Sequence, residues 1–369
     1  MSFIDVFKNI PQAELQLALY STTPQQVERA LQRPRGNLDS LLALLSPAAE
    51  PYIEQMAAQS VALTRQRFGA NLGMFLPLYL SNLCANECDY CGFSMSNKLK
   101  RKILNTAELD SEIQLIKAMH YDSILLVSGE HETKVGIDYF SNVLPQVKRH
   151  FNHIAMEVQP MSIMDYATLV EQGLDAVMVY QETYQRQTYA AHHTRGKKKD
   201  FAYRLETPDR VAQAGVDKIG LGVLLGLDDW RLDALLMGHH LAYLEQQYWR
   251  SRYSISLPRL RPCTGGIEPK VVLTDRGLVQ MICAFRLFNH ELEISLSTRE
   301  SPALRDNLFP LGVTHVSAAS STQPGGYSNP DTELDQFDIS DDRSSRQVAN
   351  AIMQKGLNPV WKDWERAWM

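Results

Sequence analysis

FLPLYLSNLCANECDYCGF, residues 75–93, joins a nearly unbroken apolar run to a loop that carries three of the chain's five cysteines. A short apolar run ended by polar turn residues reads as a buried strand. Residues 75–81 are therefore the first strand candidate, and Cys84, Cys88 and Cys91 lie just past its C-terminal end, in a loop closed by Gly92. Seven further segments share the texture: SILLVSG (123–129), IAMEVQP (154–160), DAVMVYQ (175–181), DKIGLGVLL (217–225), RYSISLPR (252–259), LEISLSTR (292–299) and VTHVSAAS (313–320). Between them lie stretches of helical period such as TAELDSEIQLIKAMH, with Thr106 as its expected N-cap, and DALLMGHHLAYLEQQY. Strands alternating with helices imply a parallel sheet covered on both faces, and eight such units imply closure into a (β/α)8 barrel, an open doubly wound sheet being the alternative. In a barrel the reacting groups belong at the C-terminal strand ends.

Before the barrel, residues 1–72 read as a helical extension, with apolar positions three and four apart in TPQQVERALQ, LDSLLALLS and EPYIEQMAAQSVALTRQRFG. The barrel is assigned residues 73–340. Residues 341–369 are expected to form a helical segment packing on it, with Trp361, Trp364 and Trp368 on one face. The 369 residues are 44% hydrophobic and carry a net charge of −5, as a folded chain with a core does. Lys and Arg total 37 against 42 for Asp and Glu, without the basic excess that a nucleic-acid binder uses against phosphates. No apolar run has the length of a bilayer span, and the opening MSFIDVFKNIPQAELQ lacks the zones of a secretory signal, so a cytoplasmic protein without a membrane partner is expected. A reducing compartment keeps cysteines as thiols, free to bind metal.

A structural zinc site wants four protein ligands, and neither a fourth Cys nor a His follows at a suitable distance. Cys263 and Cys283 are remote and read as inert core thiols. Four thiolates normally hold a [4Fe–4S] cluster, so three leave one iron without a protein ligand. The spacing C-x3-C-x2-C, with Tyr90 just before the last cysteine, resembles the signature of the radical S-adenosylmethionine (SAM) superfamily. That resemblance implies one [4Fe–4S] cluster on Cys84, Cys88 and Cys91, its open iron chelated by the amino and carboxylate groups of SAM. Reductive cleavage of SAM then gives methionine and a 5′-deoxyadenosyl radical. LLVSGE resembles the superfamily's Gly-Gly-Glu-like segment and assigns Ser128, Gly129 and Glu130 to the SAM amino group, with Ser in place of the first glycine. By the same resemblance VYQETYQ offers Gln181 and Glu182 to the ribose. FAYRLET offers Arg204 to the SAM carboxylate, a fork that matches a carboxylate bidentately. GLGVLLGLDD sets Gly222, Leu224, Gly226 and Asp229 along the adenine.

Past the cofactor half, SISLPRLRPC, ISLSTRESP and SSTQPGGYS resemble the aromatic amino acid lyase branch, closest to the 2-iminoacetate synthase family, over nearly the whole chain. The reaction so implied removes hydrogen from the amino group of L-tyrosine and breaks Cα–Cβ, giving 4-cresol and 2-iminoacetate for the thiazole of thiamine. The implied partners are thiazole synthase and an electron donor such as flavodoxin or ferredoxin. A free amino acid carries a carboxylate that must be held, and Ser297 and Arg299 at the seventh strand end are placed for it, with Arg259 and Arg261 as competitors. Tyr79 is expected either against the substrate ring or as barrel filling. No cysteine follows Cys283 to hold the second cluster of the related [FeFe]-hydrogenase maturase, so the chemistry is expected to stop at the released fragments. A lyase for tryptophan and a non-catalytic zinc-binding module are the alternatives. The run RGKKKD (195–200) reads as a solvated loop or a flap, and the His pairs at 192–193 and 239–240 as packing or surface, since adjacent residues face different sides.

Overall fold

The eight apolar runs are the eight staves of a closed barrel. The computed structural model describes residues 2–330 and 334–362. The barrel strands are β1 (Asn71–Ser81), β2 (Ser123–Ser128), β3 (His153–Glu157), β4 (Ala176–Met178), β5 (Lys218–Gly222), β6 (Arg252–Ser256), β7 (Glu293–Leu296) and β8 (His315–Ser317). Every neighbouring pair is parallel, and the pairing of Gly73–Phe75 with His315–Ser317 closes the ring. The open sheet considered from the sequence is thereby ruled out. β1 begins four residues earlier than its apolar run suggests, because Asn71–Gly73 also pair with a short strand, Asn358–Val360, outside the barrel. The segment after residue 341 is accordingly a helix, Ser345–Gln354, followed by that strand, and not helix alone. Trp361 packs edge-on against Tyr121 with ring centroids 5.1 Å apart, while Trp364 and Trp368 lie outside the described residues.

β4 has only three residues, shorter than its apolar run. Beyond Met178 the chain bonds on one side alone, Val179 N–H to Gly220 O and Gln181 N–H to Gly222 O, before Glu182 turns into the left-handed region at φ 68°. The helix over 106–118 is capped by Asn105, one residue before the expected Thr106. The Asn105 side chain accepts from Glu108 N–H at 3.1 Å, and Glu108 returns the bond in a capping box.

The helices Phe3–Lys8, Gln12–Ser21, Pro24–Leu31, Leu38–Leu45 and Ile53–Phe68 precede β1. They explain why Trp230–Gln247 is buried on nearly all sides: a helix covered on both faces has no polar stripe to present. One of its faces meets the barrel and the other meets this layer. Gly238 is pressed against Leu41 and the Phe3 ring stacks on His240, centroids 3.8 Å apart and 2° from parallel. Gln280, on helix Asp275–Phe288, donates to both Leu44 O and Ser46 O at 2.8 Å.

Candidate active site

Barrel interiors are normally filled by layers of side chains. Here a cavity of ≈ 220 Å³ runs from the cysteine loop down to Lys218, Glu293 and His315. The loop that bears Cys84, Cys88 and Cys91 forms one wall of its upper end. Arg101 holds that loop in shape, donating to the carbonyls of Asn82 (2.7 Å), Phe93 (2.9 Å), Ser94 (2.6 Å) and Asn97 (3.2 Å). A β-bulge after Tyr79 turns the end of β1 toward it. The neighbouring strand end locks on from below: Ala85 N–H donates to Glu130 O, Gly129 N–H to Ser81 O, and a Cβ on Gly129 would stand 2.5 Å from Leu83 O. Only glycine permits that approach.

The donor set suits a cluster. Burial pushes up all three thiols, Cys84 to about 11, so they ionise on a soft metal and not otherwise. A tetrahedral zinc needs converging donors, and among the described residues no three His, Cys, Asp or Glu side chains converge so. In a cubane each thiolate binds a different iron.

Beside the cysteines sits a buried group of two carboxylates and two cations. Arg204 Nη1 donates to Glu130 at 2.9 Å and its Nε to Tyr180 O at 2.7 Å. Lys198 Nζ donates to Glu182 at 2.7 Å, with Arg204 3.9 Å from the same carboxylate. Asn86 donates to the other oxygen of Glu130 at 2.7 Å. Although burial works against ionisation of Glu130, Arg204 and Lys198 overcome it and hold the carboxyl below its usual range. The Ser128 hydroxyl also lines the cavity, buried and without a hydrogen-bond partner among the described residues. Such an orphan beside paired charges suits a polar, zwitterionic ligand.

Of the residues expected around SAM, Ser128, Gly129, Glu130, Glu182, Arg204 and Leu224 line the cavity. Gln181 and Gly222 do not. Side chains alternate along extended chain, and since Tyr180 and Glu182 face the cavity, Gln181 faces away. Gly222 makes room for a lining residue, because a Cβ there would stand 2.5 Å from the Tyr180 ring. Asp229 is also remote, capping helix Trp230–Gln247 through Arg231 N–H, and Gly226 serves a turn at φ 130°.

Ser297 and Arg299 also line the cavity, the Arg299 guanidinium 3.5 Å from the centre of the Phe337 ring. Arg259 does not compete: it is committed to Glu300 and Asp275 and donates to Leu273 O. Arg261 lies outside the lining. Tyr79 and Phe93 meet edge to face at 5.9 Å on the cavity wall.

Several lining residues escaped the sequence reading. Lys198 belongs to the run that looked solvated. The antiparallel pairing of Glu87–Cys88 with His193–Arg195 folds that run over the site, and Lys198 turns in while Lys197 stays outside on Glu132. Its place next to FAYRLET was the available signal. Glu157, Tyr180, Gln336 and Phe337 were likewise missed. Gln336 comes from the acidic stretch after β8, which is drawn inward by the fully buried pair Arg305–Asp341 and by Ser340 N–H on Thr298 O. His193 is a packing residue as expected: its Nδ1 faces Tyr189 O at 2.7 Å, which leaves Nε2 to accept from the Tyr90 hydroxyl at 2.5 Å. Cys283 is core, but Cys263 is a partly exposed loop thiol and not a core one.

Comparison with known proteins agrees with this geometry. Residues 78–237 match the radical SAM superfamily, and residues 256–358 match the biotin and thiamin synthesis associated domain. The chain is 54% identical to the 2-iminoacetate synthase of Escherichia coli (strain K12) over 365 residues, covering 99% of this chain and 97% of that protein. The chain belongs to the 2-iminoacetate synthase family. A second member of the family, from Salmonella typhimurium, is 52% identical over 369 residues, all of this chain and 98% of its own. The fold is also that of the [FeFe]-hydrogenase maturase HydG, with TM-score 0.90 and 28% identity over 96% of this chain and 80% of that one. Methylornithine synthase shares the fold alone, at TM-score 0.70 and 19% identity, over 91% of this chain and 97% of that one. The expected barrel and the expected family are both borne out. Among the described residues no helix is long and apolar enough to cross a membrane.

Proposed function

We infer that this 2-iminoacetate synthase family chain cleaves the Cα–Cβ bond of L-tyrosine, releasing 4-cresol and 2-iminoacetate, with one [4Fe–4S] cluster and SAM as cofactors. The observation that carries the reading is one cavity lined by three thiols, by the ion pairs Arg204–Glu130 and Lys198–Glu182, and by Arg299. Cys84, Cys88 and Cys91 would hold three irons and leave the fourth to SAM. When bound, the cluster and SAM supply a carbon-centred radical; everything else falls to the chain's own side chains.

Glu130 and Arg204 form a complementary pair at 2.9 Å, and a zwitterionic methionine head offers each a partner of the opposite sign. Ser128 supplies a further hydroxyl. Lys198 anchors Glu182 at 2.7 Å and sets its carboxylate as an acceptor for ribose hydroxyls. Arg299 and Ser297 hold the substrate carboxylate, and Tyr79 with Phe93 forms an aromatic wall for its ring. Enclosure excludes water and fixes the approach of the reacting atoms, both of which protect a radical from side reactions. The reading includes a cytoplasmic location, an electron donor of the flavodoxin or ferredoxin kind, and thiazole synthase as consumer of 2-iminoacetate. The match to the biotin and thiamin synthesis associated domain supports that last connection.

The test is anaerobic incubation of the iron-reconstituted protein with SAM, a reductant and L-tyrosine. Formation of 4-cresol with 5′-deoxyadenosine is expected, and no cleavage of tryptophan. Deoxyadenosine without cresol would overturn the choice of substrate.

A further inference from the structure

Among the described residues four carboxylates line the cavity, and three of them have a cation within 3 Å: Glu130 has Arg204 at 2.9 Å, Glu182 has Lys198 at 2.7 Å, and Glu293 has Lys218 at 2.8 Å. The fourth, Glu157 at the C-terminal end of β3, makes no ion pair among the described residues; its carboxyl is hydrogen-bonded to the Tyr180 hydroxyl. The charged and titratable groups facing it are Glu182, Arg299, Lys198, Tyr180 and Tyr79. Glu157 therefore feels both halves of the site, Glu182 among the groups assigned to the cofactor and Arg299 among those assigned to the substrate.

A free amino acid brings an ammonium and a carboxylate on the same carbon. A guanidinium alone would complete only half of it and leave the other charge buried without a partner, which is costly. We propose that Glu157 completes the site by binding the substrate ammonium while Arg299 binds the carboxylate, and that Glu157 accepts a proton from that ammonium before hydrogen abstraction. The step is R–NH3+ plus carboxylate giving R–NH2 plus carboxylic acid, with no electron transferred. Burial, with Glu182 adding to it and Arg299 opposing it, pushes the Glu157 carboxyl up to about 7, which narrows its gap to an amine. The proposal rests on the tyrosine-lyase reading above.

The experiment measures equilibrium binding of L-tyrosine and of 3-(4-hydroxyphenyl)propanoate, the same acid without its amine, to the reconstituted holoenzyme and to its Glu157→Gln variant. Iron content and SAM affinity report whether the variant is intact. The wild type should prefer tyrosine by roughly tenfold or more, as expected of a charge-assisted hydrogen bond in a closed site. E157Q should reduce that preference to about twofold by weakening tyrosine alone. In the wild type, tyrosine affinity should fall as the pH drops below about 7 while affinity for the analogue does not, and E157Q should abolish that dependence. Equal affinity of the wild type for both ligands, or a variant that weakens both alike, overturns the proposal. If the variant does not take up iron, the preference of the wild type and its pH dependence decide. A wild type that makes no 4-cresol but prefers the amine-bearing ligand sinks the lyase reading and leaves the role of Glu157 standing.

Discussion

Gln336 reaches from the last loop of the barrel to Cys91, its Nε2 3.6 Å from Sγ, while its Oε1 accepts from the Tyr79 hydroxyl at 2.7 Å. One amide thus touches a cysteine proposed to hold iron and an aromatic wall proposed to hold substrate. Hydrogen bonds to ligating sulfur raise a cluster's potential by stabilising its more negative state. Gln336→Leu should therefore shift the cluster to a more negative potential with the iron content unchanged. An EPR-monitored redox titration reads the shift, and an unshifted midpoint would dissociate Gln336 from the cluster.

Cys88 is the most deeply buried of the three thiols and is backed by the Ser94 hydroxyl at 3.1 Å from its N–H. Cys88→Ala should leave a protein that stays pale after reconstitution, and neither deoxyadenosine nor 4-cresol should form. Retention of SAM cleavage would show that the cluster sits elsewhere.

Lys198 and Lys197 are adjacent but differ in environment. Lys198 is paired in the interior with Glu182, whereas Lys197 and Glu132 form an exposed pair. Removing one member of a buried pair strands the other, while exposed pairs contribute little. Lys198→Met should raise the dissociation constant for SAM on the order of ten- to a hundredfold, and Lys197→Met should leave it within about twofold. Equilibrium dialysis with labelled SAM distinguishes the two.

Arg299 and Arg259 make a second contrast. Arg299→Ala should raise KM for tyrosine by roughly tenfold or more, with SAM affinity intact. Arg259→Ala leaves the buried Glu300 without its partner and should lower stability by about 3 kcal/mol. Steady-state kinetics and urea denaturation separate a binding defect from a folding defect.

His240 links the N-terminal layer to acid stability. Burial pushes its imidazole down to about 3, between the Phe3 ring and the Tyr184 hydroxyl. The unfolded chain takes up a proton near pH 6.5 that the folded chain refuses, so this contribution is complete above 6.5 and is lost as the pH falls toward 3. Stability should decline by about 1.4 kcal/mol per pH unit well below 6.5 from this residue. His240→Gln should remove that component from urea titrations at pH 7.5, 6 and 5.

What was readable in the sequence follows from the range of the forces involved. Apolar runs declare buried strands because burial acts residue by residue, and the cysteine spacing points to its chemistry because one loop holds all three proposed ligands. Lys198 and Gln336 were hidden because each lies in a charged stretch that by composition belongs in water. Their inward turn is set by distant partners, the ladder of Glu87–Cys88 with His193–Arg195 and the pair Arg305–Asp341. Gln181 and Gly222 lie off the cavity lining for a local reason. The motif resemblance fixes an order of residues but not which of two alternating faces each one takes.

The Arg101 clasp on four carbonyls of the cysteine loop has a consequence for the life of the protein. One guanidinium thus spaces the backbone between three thiols, and its loss would read out as a failure to retain iron although no sulfur had been altered.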